Sequence, residues 1–262
     1  WQSPTHRNHQ LYLATSPEFS HKKLIAGGME RIYEFARVFR NGEIGPLHSP
    51  EFTMLEWYRA WENWNKIVED TLEICVVAAR AVGADYFSWK GKSVSIYATP
   101  IRISLAQAFR KYANIDLLST LDSGGNGQRA KLADAAIRAN INVAVDDNWS
   151  DIFTKILVAK IEPNLGFDAP TILCEYPLPE AALARKCEHD PRVVERFELY
   201  ICGVEIANGF GELTDAIEQR ARFEAAMHEM KRIYGYNYPL DEELLSALAQ
   251  MPGTSGVALG FD

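Results

Sequence analysis

"FRNGEIGPLHSPEFTMLEWYR" (39–59) joins two alternating apolar runs, each of which carries polar groups where a core is being written. The first, "RIYEFARVFR" over 31–40, ends on Arg40; the second, over 51–58, places Glu56 and Tyr58 among Phe52, Met54 and Trp57. Period-two alternation is a strand signal, and the loop "NGEIGPLHSP" turns the chain back, so the spacing predicts a long antiparallel hairpin. On its second strand Phe52, Met54, Glu56 and Tyr58 share one face, and Thr53, Leu55 and Trp57 the other. A carboxylate on a mixed apolar face must be paired or neutralised, because burying it alone is costly. That face therefore expects a cationic or hydrogen-bonding ligand, while a structural pairing of Glu56 with Arg37 or Arg59 stays open.

Upstream, "TSPEFSHKKLIAGG" predicts a short helix, with Ser16 as cap, Pro17 at the first helical position, Glu18 at the positive end and Gly27-Gly28 as the stop. Downstream, apolar positions recur at helical spacing from Asn65 to Val82 and close at Gly83. The span 102–162 reads as an inserted helical layer built from "SLAQAFRKYA", "QRAKLADAAIRA" and "WSDIFTKILVAKI". "TILCEYP" reads as a strand, and "RFELYICGVEIANG" as a second hairpin turning at Cys202-Gly203. A regular register there puts Glu198, Tyr200, Glu205 and Ala207 on one face. Two diagonal acids repel unless a cation such as a magnesium ion holding a polyphosphate lies between them; the alternative is that both face solvent. A helix from Thr214 to Tyr234, capped by Asp215 with Glu218 and ended by Gly235, precedes the glycine-rich "GTSGVALGFD".

Composition bounds the whole. A chain of 262 residues, 47% of them hydrophobic, can bury a large core, and no compositional break divides it, so we expect one domain over 1–262. No apolar run reaches the roughly 18 residues of a membrane span, and "WQSPTHRNHQ" lacks the charged-then-apolar order of a signal peptide. A cytoplasmic protein is expected. Cys75, Cys174, Cys187 and Cys202 lack CxxC spacing and indicate neither a zinc site nor a disulfide framework. A net charge of -8 argues against a nonspecific nucleic-acid binder and suits a basic protein partner. "GNGQRA" (125–130) does not lie between a strand and a helix and is read as a turn.

"FRNGEIGPLHSPEFTMLEWY" resembles the second signature motif of class II aminoacyl-tRNA synthetases of the lysine subgroup, and "GVALGFD" resembles the start of the third. "TSPE" and "EIANGFGELTDA" match in the same order. In "FTMLEWYR", "RVVERFELY", "ANGF" and "SGVALG" the chain is more similar to the paralogous family of elongation factor P (R)-beta-lysine ligases, which lacks an anticodon domain. Alanine at 207 and 258 stands where lysyl-tRNA synthetases tend to have glycine. The resemblance implies an α+β class II fold, an antiparallel sheet with flanking helices, and a two-step, AMP-forming ligase. ATP and a lysine-like amino acid would give an adenylate and pyrophosphate, and the acyl group would pass to a lysine of elongation factor P, with tRNA not expected as partner.

The same resemblance assigns roles. Arg40 is implied as the catalytic residue at the α-phosphate, where a positioned guanidinium stabilises growing charge. Asn41, Gly42, His48, Ser49, Phe52, Glu205, Ile206 and Gly260 are implied in ATP binding, with Phe52 on the adenine and His48 near the phosphates. Glu198 and Glu205 would hold magnesium. Ser16, Glu18, Glu56, Tyr58, Asn208, Glu212 and Ala258 would line the amino-acid pocket, whose acids suit a substrate with two ammonium groups. The methyl of Ala258 would reshape that pocket against α-lysine. Three positions depart from the family pattern: Gly42 in place of an acid, Ser49 in place of an asparagine, and Gly211 in place of a histidine. Motif 1, which builds a homodimer interface in this family, and the motif 3 arginine are expected outside the 262 residues. A lysyl-tRNA synthetase and a noncatalytic regulatory paralogue stay open as alternatives.

Overall fold

The computed structural model describes residues 12–235 and 238–262; the N-terminal "WQSPTHRNHQ" lies outside the described residues. In chain order the elements are α1 (Glu18–Ala26), β1 (Arg31–Phe39), β2 (Glu51–Ala60), α2 (Trp64–Ala81), β3 (Tyr86–Trp89), β4 (Lys92–Ser95), β5 (Ile101–Ser104), α3 (Leu105–Ala108), α4 (Arg129–Arg138), α5 (Trp149–Ile156), β6 (Thr171–Pro177), β7 (Val193–Ile201), β8 (Val204–Gly211), α6 (Ala216–Tyr234), α7 (Glu242–Leu248) and β9 (Thr254–Gly260). They gather into two compact units, one of Trp1–Trp61 with Thr214–Asp262 and one of Glu62–Leu213. Each is α+β, with strands flanked by helices.

In the first unit β1 and β2 form the predicted hairpin, with Glu34 opposite Glu56 and Val38 opposite Phe52. The glycine-rich tail is the unforeseen third strand. β9 pairs antiparallel with β2 and sets Ala258 opposite Glu56 and Gly260 opposite Met54. Small residues let this strand lie close while its backbone completes the ladder. Ile25 of α1, Tyr58 and Ala60 of β2, and Leu244, Leu245 and Leu248 of α7 pack into one buried cluster. The Ser16 hydroxyl accepts the Glu18 N–H at 3.0 Å as a cap does, but the helix begins at Glu18, with Pro17 as its N-cap rather than its first turn. Asp215 caps α6 by accepting the Ile217 and Glu218 N–H groups.

In the second unit the strands run β5-β6-β7-β8. β5 with β6 is parallel, while β6 with β7 and β7 with β8 are antiparallel, so the sheet is antiparallel in the main, as expected. Helices occupy the middle segment, where Trp149 and Phe153 stack at 5.4 Å and Phe153 and Phe109 at 5.2 Å within the largest core cluster. Two features escaped the pattern: the four-residue length of β5, and the β3–β4 hairpin, which turns on Lys90 (φ 44) and Gly91 (φ 77). The β7–β8 hairpin turns at Cys202-Gly203 with φ 53 and 77, positive at both positions as a right-twisting two-residue turn requires. Its register corrects the sequence expectation. A bulge follows Tyr200–Glu205, so Leu199 faces Ala207 and Glu198 faces Asn208. The extra residue turns Ala207 away from the Glu198 face and puts Asn208 there. Among the described residues no helix is long and apolar enough to cross a membrane.

Candidate active site

Within the first unit the mixed face of β2 is built as the alternation requires. Phe52 and Met54 pack with Ala36, Val38 and Ala258, and beside them Glu56 is 1% exposed. Its carboxylate accepts Ser16 Oγ–H at 2.6 Å on Oε1 and Tyr58 O–H at 3.0 Å on Oε2. Both donors are neutral hydroxyls. Burial pushes the Glu56 carboxyl up to about 7, with Glu18 adding to the shift, while the Ser16 and Tyr58 hydrogen bonds and Arg40 pull the other way. Thus the structure brings Ser16, Glu18, Glu56 and Tyr58 into one neighbourhood, and Glu56 does not take Arg37 or Arg59: Arg37 is bound to Glu51 at 2.8 Å on the outside.

Arg40, at the end of β1, lies over the Phe52 ring at 5.5 Å and its Nε donates to the Thr15 carbonyl at 3.4 Å. The half-exposed guanidinium is reachable from solvent. Asn41, Gly42, His48 and Ser49 stand in the exposed loop that follows, and Gly260 is exposed at the end of β9. Gly42 has φ +84. An acid there would be strained, which accounts for glycine at this departure from the family pattern. Nothing in the structure explains Ser49.

Within the second unit Glu198 is 5% exposed, and both its oxygens are engaged. Arg196 donates to Oε1 at 2.9 Å and Tyr200 to Oε2 at 2.8 Å. Arg196 lies 4.2 Å over the Tyr176 ring; burial opposes its charge, yet Glu198 and its acidic neighbours hold its pKa up. Glu205, opposite Tyr200, is exposed on the same hairpin face, and Ile206 is the bulge residue beside it. Asn208 keeps a buried Oδ1 with no hydrogen-bond partner among the described residues, and Glu212 is fully buried. The Glu195 carboxylate, paired with Arg185 at 2.7 Å, fills the place of a side chain at 211: a Cβ there would meet Glu195 Oε2 at 2.1 Å. A histidine at 211 is sterically incompatible with that ion pair.

Three residues beside these sites were missed. His21 and Lys22 of α1 are 3% and 1% exposed; Lys22 Nζ lies 2.7 Å from Glu18 Oε1, and His21 Nε2 lies 3.0 Å from Glu34 Oε2. The positions 18, 21, 22 and 25 share one helical face, which was the available signal. Arg196 was legible too, since Arg-x-Glu-x-Tyr puts all three side chains on one strand face.

Comparison with known proteins agrees with this chemistry. The profile of class II tRNA synthetases (D, K and N) matches residues 2–262. An elongation factor P–(R)-beta-lysine ligase of Sodalis glossinidius is 38% identical over 255 residues, covering 96% of this chain and 71% of that protein. Ligases of the same name from Proteus mirabilis, 37% identical over 97% of this chain and 72% of its own, and from Edwardsiella ictaluri, 38% identical over 96% and 71%, are similarly close.

Proposed function

The chain belongs to the class II tRNA synthetase family (D, K and N), and from that premise we propose that it is an ATP-dependent ligase that activates (R)-beta-lysine and transfers it to a lysine side chain of elongation factor P. The observation that carries this reading is Glu56, a buried carboxylate held by two neutral hydroxyls on a hairpin whose first strand ends at Phe39, next to Arg40. A site that buries an acid without an internal cation partner is complementary to an external ammonium.

In the proposed reaction the side-chain ammonium of the amino acid pairs with Glu56, oriented by Ser16 and Tyr58. The substrate carboxylate attacks the α-phosphorus of ATP; the bond to the β-phosphate oxygen breaks and pyrophosphate leaves. Arg40 stabilises the negative charge that grows on the α-phosphate oxygens, and Phe52, beneath it, gives a flat apolar surface for the adenine. The neutral ε-amine of a lysine on elongation factor P then attacks the acyl carbon, and AMP leaves with its bonding pair. Glu18 and Ala258 line the amino-acid site beside Glu56 in the first unit, and the family pattern gives Asn208 a role toward the substrate carboxylate and Glu212 one toward the amino acid. His48, Ser49, Asn41, Gly42, Ile206 and Gly260 serve the nucleotide. Magnesium, brought in with the phosphates, would offset their charge at Glu205, which is exposed; Glu198 joins only by releasing Arg196 or Tyr200. The chain would work as a single catalytic domain, in the cytoplasm and as a homodimer, a state suited to the exposed aromatic row of Tyr33, Phe35 and Phe261.

The test is ATP–pyrophosphate exchange on the full-length protein with α-lysine and (R)-beta-lysine separately, followed by labelled amino acid with elongation factor P or with tRNA. Exchange with (R)-beta-lysine and label on elongation factor P is the expected result. Label on tRNA would make it a lysyl-tRNA synthetase instead, and no exchange with either isomer would leave a noncatalytic binder.

A further inference from the structure

We propose that His21 and Glu34 form a proton relay behind the amine-binding carboxylate: as a substrate ammonium enters beside Glu56, the Glu56 carboxyl proton passes to His21 Nδ1 and is kept there against Glu34 instead of leaving to solvent. This rests on the assignment of Glu56 to the substrate's amine. His21 is 3% exposed, and its two ring nitrogens face two different acids. Nε2 lies 3.0 Å from Glu34 Oε2, and Nδ1 lies 3.9 Å from Glu56 Oε2. Glu34 is half-exposed, its side chain 51% accessible. The line therefore runs from solvent through the imidazole to the buried carboxyl.

Protonation states follow from these contacts. Glu34 can only accept, so Nε2 carries the hydrogen and Nδ1 presents a lone pair. That lone pair is a buried acceptor without a hydrogen-bond partner among the described residues. Burial lowers the His21 pKa, against the pull of Glu34 and Glu18, so the ring is neutral while the pocket is empty. Glu56, raised by burial, holds its proton to near neutral pH. Facing the pair are Ser16, Glu18 and Lys22 from α1 and the segment before it, Glu34 from β1, Arg40 just after β1, and Tyr58 from β2; Ala258 of β9, opposite Glu56, adds no charge.

An arriving ammonium makes the ionised carboxylate the favoured form. The Glu56 O–H bond breaks and an Nδ1–H bond forms, after a side-chain movement of about 1 Å that brings the 3.9 Å gap into hydrogen-bond range. The products balance: ammonium and imidazolium are met by the Glu56 and Glu34 carboxylates, and no buried charge is left alone. His21 is thus a positioning residue that acts through Glu56 and does not touch the substrate.

The test counts protons. (R)-beta-lysine is titrated calorimetrically into the full-length protein at pH 6.5 in phosphate and in bis-Tris, and the slope of heat against buffer ionisation enthalpy gives the protons released. With a carboxyl titrating at about 7, roughly 0.8 proton must leave Glu56 at that pH. The wild type should release under about 0.2, because His21 keeps it; His21→Gln, which bonds but cannot hold a proton, should release about 0.8. Glu34→Gln, on the half-exposed side, removes the carboxylate that steadies the imidazolium and should also raise the release, to above about 0.4. It serves where His21→Gln does not fold. Equal release by the wild type and the folded variants overturns the relay. Glu56→Gln separates the two ideas: unchanged affinity in that variant overturns the assignment of Glu56 itself, whereas lost affinity with unaltered proton counts in the His21 and Glu34 variants overturns the relay alone.

Discussion

Two hairpins in this molecule write nearly the same word and use it differently. "LEWY" in β2 and "FELY" in β7 each bury a glutamate and place a tyrosine two residues later, whose hydroxyl donates to Oε2, at 3.0 Å for Tyr58 and 2.8 Å for Tyr200. The difference lies on the other oxygen. Glu198 receives Arg196 at 2.9 Å, whereas Glu56 receives only the Ser16 hydroxyl. An acid with an internal guanidinium is already charge-compensated. An acid with hydroxyls alone is raised to about 7 and stays open to a cation from outside. With both acids buried, the partner separates a carboxylate already compensated from one ready for a cation.

The comparison breaks most decisively at Arg196. Arg196→Met leaves Glu198 buried without its cation and should cost about 3–5 kcal/mol of unfolding free energy in urea melts; a loss below about 1 kcal/mol would falsify the compensated reading of Glu198.

Next comes Glu56→Gln, for which we expect a roughly 100-fold weaker (R)-beta-lysine affinity, about 2.7 kcal/mol by calorimetry. Its stability should move the other way. Because the Glu56 pKa is raised from 4.5 to about 7, the native state binds the proton more tightly than the unfolded chain, and stability from this group is lost as pH rises across that window. The wild type should therefore lose roughly 3 kcal/mol more than Glu56→Gln between pH 4.5 and 7.5; parallel stability curves would show that Glu56 ionises normally. If His21 keeps the Glu56 proton, the amino-acid KM of the wild type should change less than about threefold from pH 6 to pH 8, whereas in His21→Gln it should fall about tenfold as the carboxylate forms.

The tyrosines give the smallest effects, about 1 kcal/mol each. Tyr58→Phe removes a donor to the Glu56 anion and, in the His21→Gln background where the KM follows Glu56, should move the KM inflection to higher pH, while Tyr200→Phe should leave that profile alone. A shift caused by Tyr200→Phe would mean that the two hairpins are not separable.

The first hairpin, the Cys202-Gly203 turn and the cap at Asp215 were legible from local pattern, because alternation, positive-φ turn chemistry and side-chain capping act over a few residues. The same alternation placed Glu56 and Tyr58 on one face and foretold that the face needs a donor or a cation. The Ala207 error had a local cause but a nonlocal remedy: a one-residue bulge reverses every side chain beyond it, and only the pairing of Glu198 with Asn208 reveals it. β9 was hidden because glycine and alanine carry little strand signal, and its stability comes from the ladder with β2.

Chain chemistry alone thus sufficed for the strands, the turn and the set of acids, since those follow from spacing and side-chain type. Which acid would be answered from within was settled only in three dimensions. Arg196 reaches Glu198 along a single strand, but whether Ser16 or His21 reaches Glu56 depends on packing between segments up to 40 residues apart, as Ser16 and Glu56 are, and the balance of desolvation against pairing is decided at that contact.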